Sequence, residues 1–115
     1  MEATFCFVDV AGFTALTETH GPDAAADLIT KFKVLVEAAL GADGRIVDRA
    51  GDAFFVVMAS PEAGVRFLTR LFEAAAREPE FPDLRAGLHH GEALEREGSY
   101  FGADVNLAAR GGDSR

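Results

Sequence analysis

Apolar residues along this chain fall into blocks whose spacing switches between that of strands and that of helices. Thr4 to Val10 (TFCFVDV) is a run of mostly β-branched and aromatic residues, the pattern of a buried strand. Ala11-Gly12 ends it, and Thr14 is a candidate cap for a short helical turn. Gly21-Pro22 then breaks the chain, with Pro22 suited to the first turn of a new helix. From Ala24 to Leu40 apolar residues recur at Leu28, Phe32, Leu35 and Ala39, which predicts a helix with one buried face, ended by Gly41 and Gly44. Arg45 to Arg49 and Ala53 to Ala59 read as two strands separated by Ala50-Gly51-Asp52. Ser60-Pro61-Glu62 is a helix start, with Ser60 as cap and Pro61 at the first helical position. Val65, Leu68, Phe72 and Ala75 give that helix its predicted buried stripe. Pro79 to Pro82 (PEFP) cannot continue a helix. Leu84 to His89 reads as a strand, Gly91 to Leu94 as the continuation of its hairpin, Tyr100 to Gly102 as a turn and Val105 to Arg110 as a helix start.

The order strand, helix, strand, strand, helix, strand is that of an α+β fold. It is the ferredoxin-like split βαβ arrangement, an antiparallel sheet with helices packed on one face. No repeat or linker divides residues 1–115, so a single domain is expected. In such a sheet the first and third strands are neighbours. Asp9 lies where the first strand runs into a glycine turn, and Asp52 lies in the turn before the third strand. The topology therefore lets the two carboxylates approach each other at one end of the sheet. Two adjacent carboxylates repel, and divalent cations relieve that repulsion. Mg²⁺ takes oxygen ligands, binds one or two carboxylates and keeps room for substrate phosphates. Taken singly, each Asp also reads as a turn residue, and Asp9 as a cap for the helical turn near Thr14.

The formal net charge of −8 speaks against nucleic acid and anionic membrane as partners, since both select basic faces. It leaves room for a nucleotide held through divalent cations. No apolar run approaches the roughly 20 residues that span a bilayer, and no basic region opens the chain as in a signal peptide. Cys6 is the only cysteine, which excludes an internal disulfide and fits a reducing, cytoplasmic setting.

Four blocks carry a family resemblance. Phe7-Val8-Asp9-Val10-Ala11-Gly12-Phe13-Thr14 resembles the opening motif of class III adenylyl and guanylyl cyclases, and Gly51-Asp52-Ala53-Phe54 resembles their second metal motif. Leu84 to Gly91 (LRAGLHHG) resembles the strand of form R-x-G-x-x-H-G, and Tyr100 to Arg110 (YFGADVNLAAR) the segment G-x-x-V-N-x-A-x-R. The blocks occur in the family's order across almost the whole chain. The resemblance implies that Asp9 and Asp52 bind two Mg²⁺ or Mn²⁺ ions, with the Val10 carbonyl as a further ligand. Asn106 would orient the ribose, and Arg110 would stabilise the pentavalent phosphate. The implied reaction is attack of the ribose 3′-hydroxyl on the α-phosphate, giving a 3′,5′-cyclic nucleotide and pyrophosphate. It also implies a head-to-tail homodimer, with the aspartates from one subunit and the Asn and Arg from the other. Charge develops at phosphate oxygens in such a reaction, so cations aimed there supply most of the stabilisation, and Arg's planar fork suits the task.

The chain also departs from the pattern. Adenylyl cyclases of this family carry Lys at the position of Asp48 and Asp or Thr at that of Ser99, while guanylyl cyclases carry Glu and Cys. Asp48 and Ser99 look like shortened versions of the second pair. A carboxylate accepts from guanine N1 and its 2-amino group, and a hydroxyl donates to O6. The substrate expected is thus GTP or ATP, with GTP favoured. Asp48 with Arg49 also reads as a solvated strand-end pair. Family domains continue with further strands, one carrying a Lys that grips the triphosphate, whereas the lysines here are Lys31 and Lys33 in the first long helix. A C-terminally short cyclase domain is expected, with a catalytically weak homology domain that dimerises or binds nucleotide as the alternative. His89 and His90 point to opposite sides of a strand and so do not form a metal pair, and His90 reads as structural. Cys6 reads as a small buried hydrophobe. Phe54, Phe67, Phe72 and Phe81 read as core or dimer contact.

Overall fold

Strand β1 (Glu2–Val10) occupies the interior of the sheet because its side chains are apolar toward both faces, and Ala3 to Val10 are buried without a gap. The computed structural model describes residues 2–92 in full and 94–96 and 99–101 as backbone. Helix α1 (Phe13–Leu40) follows, then β2 (Gly44–Ala50), β3 (Ala53–Met58), helix α2 (Pro61–Arg77), β4 (Leu84–Glu92), β5 (Leu94–Arg96) and β6 (Ser99–Phe101). The main sheet has the order β2-β3-β1-β4 with every neighbouring pair antiparallel. This is the split βαβ sheet expected, with β1 beside β3. β5 and β6 form a separate antiparallel pair. Tyr100 and Phe101, expected in a turn, are therefore in a strand, since pairing of Tyr100 with Glu95 extends their backbone. The expected helix start at Val105 to Arg110 lies outside the described residues.

The two faces of the sheet differ. Cys6, Val8 and Val10 of β1 and Phe54, Val56 and Met58 of β3 pack with Phe32 and Val36 of α1 and Ala63, Phe67 and Leu71 of α2. Phe32 meets Phe54 edge-on at 5.3 Å, and Phe81 packs against the same core. Cys6 is wholly buried, and burial pushes its thiol up to about 12. On the opposite face Ala3 and Phe5 pack with Phe55 and Val57, and Phe5 stacks on Phe55 at 5.3 Å. Asp9 belongs to this second face.

The helices show where local signals were sufficient. Ser60 Oγ accepts from the Ala63 amide at 3.0 Å, capping α2 as its sequence foretold. Thr14 does not cap, because α1 starts one residue earlier and Gly12 occupies the cap position. Helical structure runs from Phe13 and is interrupted only at Gly21, whose φ of 88° and ψ of 171° few other residues adopt. In α2 the buried residues are Ala63, Gly64, Phe67, Leu71 and Ala75, whereas Val65 and Phe72 of the expected stripe are 58% and 41% exposed. The helix is rotated about its axis so that small residues meet the sheet. A Cβ at Gly64 would lie 2.6 Å from Leu88 Cδ1, so side-chain size rather than apolarity sets the face.

Gly44 marks a close backbone approach in the sheet. A Cβ there would lie 2.5 Å from the Val57 carbonyl oxygen and 2.7 Å from Met58 Sδ. That oxygen cannot shift without disturbing the β2–β3 ladder. Gly44→Ala is expected to cost about 1–3 kcal/mol, read as a lower urea midpoint. Gly64→Ala should cost less, because the Leu88 side chain can rotate away. Equal midpoints for wild type and Gly44→Ala would refute the packing argument.

Candidate active site

Asp9 is the penultimate residue of β1 and only 3% exposed. A carboxylate this dry needs compensation. It comes from Arg85, which stands directly opposite Asp9 in the β1–β4 register. Arg85 Nε donates to Asp9 Oδ1 at 3.0 Å and Nη2 donates to Oδ2 at 3.1 Å, the two-pronged geometry that makes guanidinium–carboxylate pairs strong. Asp9 caps no helix, so the cap alternative does not hold.

Asp52 comes to the same end of the sheet through the two-residue turn Gly51-Asp52 between paired Ala50 and Ala53. Gly51 has φ 59°, as the first central position of such a hairpin turn requires. Burial raises the Asp52 carboxyl above its ordinary value of 3.8, and the Asp9 charge adds to the rise. Its own backbone amide, the Arg85 guanidinium and the Val10 amide pull the other way. The structure thus brings Asp9, Asp52, Arg85 and the end of β1 at Val10 together. Val10 itself is fully buried, and the next amide, of Ala11, donates to the Asp83 carbonyl at 2.8 Å, which ties this end of β1 to β4.

Asp48 is exposed, and its Oδ1 accepts from the Arg49 amide at 2.8 Å. A bulge between Ile46 and Asp48 decides its direction: Ile46 pairs with Val56 but Asp48 pairs with Phe55. Without the extra residue Asp48 would share the helix-covered face with Ile46. The bulge moves it to the face that carries Phe55, Phe7 and Asp9. Ser99 lies in β6, whose backbone approaches β2. Asn106 and Arg110 lie outside the described residues. His90 hydrogen-bonds through Nδ1 to Thr4 Oγ1 at 2.7 Å, a structural contact at the far end of β1. Arg85 is the residue that sequence reading missed as part of the site. Its motif was noticed, but only the strand register places it across from Asp9.

Known proteins share this fold. No family model matches the chain. An uncharacterized protein of Mycobacterium tuberculosis is 42% identical over 105 residues, 90% of this chain. A pH-sensitive adenylate cyclase of the same organism is 30% identical over 109 residues, 95% of this chain. The chain spans 28% of the length of each of these relatives. Among solved structures, the monomeric guanylyl cyclase domain of the RhoGC fusion protein from the aquatic fungus Blastocladiella emersonii superposes with a TM-score of 0.89. It is 20% identical, with 98% of this chain and 75% of that chain covered. The chain has the fold of class III nucleotidyl cyclase catalytic domains, and named adenylate cyclases are among its relatives in sequence.

The two carboxylates at the Asp9–Asp52 end of the sheet are residues that could hold a divalent cation. Among the described residues no group of three or more His, Cys, Asp or Glu side chains converges. Mg²⁺ does not need one, since it binds through one or two carboxylates and completes its shell with water and phosphate oxygens. The oxygen-only donors and the raised Asp52 carboxyl fit such an ion. Asp52 also sets a pH signature. Because folding raises its pKa, the stability tied to this group is fully present below the unfolded-state pKa and is lost as pH rises through the folded value. Asp52→Asn keeps an acceptor and removes the charge. In metal-free buffer it is expected to melt above wild type at neutral pH, with the gap closing in acid. A gap that persists unchanged in acid would show that charge is not its source.

Proposed function

We propose that this domain converts a nucleoside triphosphate, GTP or ATP, to a 3′,5′-cyclic nucleotide and pyrophosphate. The observation that carries the reading is the convergence of Asp9 and Asp52 at one sheet end in a chain whose relatives include an adenylate cyclase. In this reading Asp9 and Asp52, with the Val10 carbonyl, hold two Mg²⁺ or Mn²⁺ ions. Bound there, the ions would supply Lewis-acid stabilisation for the 3′-oxygen and the phosphate oxygens. The chain's own groups do the rest. Asp9 and Asp52 would hold the cations, and Asn106 positions the ribose. Arg110 meets charge developing on the α-phosphate. Asp48, turned by its bulge onto the Asp9 face, and Ser99 on the strand near β2 are the proposed readers of the base.

Asn106 and Arg110 are proposed to come from a second copy in a head-to-tail homodimer acting in the cytoplasm. No described helix is long and apolar enough to cross a membrane. A second reading, a dimerising or nucleotide-binding module without turnover, is favoured by one feature: Arg85 already occupies both oxygens of Asp9.

Incubation with ATP, GTP, CTP and UTP plus Mn²⁺ tests turnover and ranks the bases. Cyclic product from one of them, abolished by Asp52→Ala with an unchanged circular dichroism spectrum, is expected. Heat of nucleotide binding without product would favour the second reading. The composite site has its own test. Asp52→Ala and Arg110→Ala chains, each inactive, should on equal mixing recover about a quarter of wild-type activity, since half the dimers then hold one intact site of two. A mixture no more active than its components would rule out sites shared between copies.

A further inference from the structure

Arg85 poses a question that the proposed chemistry leaves open. Its fork takes both oxygens of a carboxylate that the proposed function assigns to cations. The two partners are not equally dry. The Asp9 side chain is 5% exposed and that of Arg85 is 37% exposed. If the pair opens, the part-exposed guanidinium is already in reach of water, whereas the buried carboxylate cannot leave its place on the central strand. Opening therefore strands a buried anion unless another cation takes over. Arg85 also acts on Asp52, whose carboxyl it holds down against burial and the Asp9 charge.

We infer that Arg85 is the internal counter-ion of this site, holding Asp9 through both oxygens while no divalent cation is bound and yielding to the cation when one arrives. The inference rests on the reading of Asp9 and Asp52 as metal-binding carboxylates. Arg85 is thus a positioning residue that also sets how much cation is needed to fill the site. It keeps two neighbouring carboxylates compatible with the folded chain, and it lowers the negative charge that an incoming cation meets. A purely structural brace would behave in the opposite way. Removing a brace loosens Asp9 and weakens cation binding, whereas removing a competing counter-ion strengthens it.

Calorimetric titration with Mn²⁺ alone, without nucleotide, distinguishes these. Arg85→Gln is expected to melt lower than wild type without metal and to bind Mn²⁺ about tenfold more tightly, the size of effect a neighbouring charge has on a carboxylate's proton affinity. If wild type shows no Mn²⁺ binding that Asp52→Ala removes, the metal-carboxylate reading fails and takes the inference with it. If that binding is present and Arg85→Gln leaves it unchanged or weakens it, the counter-ion inference alone is overturned. Should Arg85→Gln not fold, the wild-type Arg85 Nε–H resonance gives the answer. Saturating Mg²⁺ should shift it and speed its exchange with solvent, and a resonance unmoved at saturation overturns the inference.

Discussion

Burial of β1 on both faces is the constraint from which the rest of this domain follows. Ala3 to Val10 contact two separate clusters, one beneath the helices and one on the opposite face of the sheet. Only a strand with neighbours on both edges can be placed there, and β3 and β4 supply them. Everything carried at the end of β1 is then held by a rigid, water-poor frame. Asp9 inherits that rigidity and that dryness together. A carboxylate on an edge strand or in a loop would be solvated and would need no partner.

The electrostatics of the candidate site are a consequence of this placement. Asp9 is compensated by the residue across the ladder, and Asp52 is brought in by a turn of two residues that leaves little freedom to swing away. Carboxylates this close share one problem, which is their combined charge in a medium poorer than water at screening it. Arg85 offsets part of it. The exposure of Arg85 relative to Asp9 makes the pair one-sided, buried at the carboxylate and part-exposed at the guanidinium.

The same sheet face carries a further carboxylate. Because of the bulge before it, Asp48 stands on the Asp9 face rather than beneath the helices. A single inserted residue thus determines which face of the sheet that carboxylate occupies. The α2 helix shows the complementary effect in the core. Its small residues Ala63 and Gly64 face the sheet and let the helix approach closely, which turns Val65 and Phe72 outward.

Local sequence determined a great deal about this protein. Apolar runs and helical spacing placed all four strands of the main sheet and both helices, and Ser60 with Pro61 marked the start of α2, since each of these depends on neighbours a few residues away. Element order was enough to put β1 beside β3 and hence Asp9 near Asp52. The cyclase resemblance was legible because its motifs are short and contiguous. Tertiary structure alone decided what depends on partners distant in sequence. The Asp9–Arg85 pair joins residues 76 positions apart through strand register. The face of Asp48 depends on a bulge that appears only when β2 pairs with β3. The rotation of α2 depends on the shape of the sheet beneath it. Hydrophobic periodicity reports how often a residue is buried along its own element, whereas register, bulges and close approach are properties of two elements meeting.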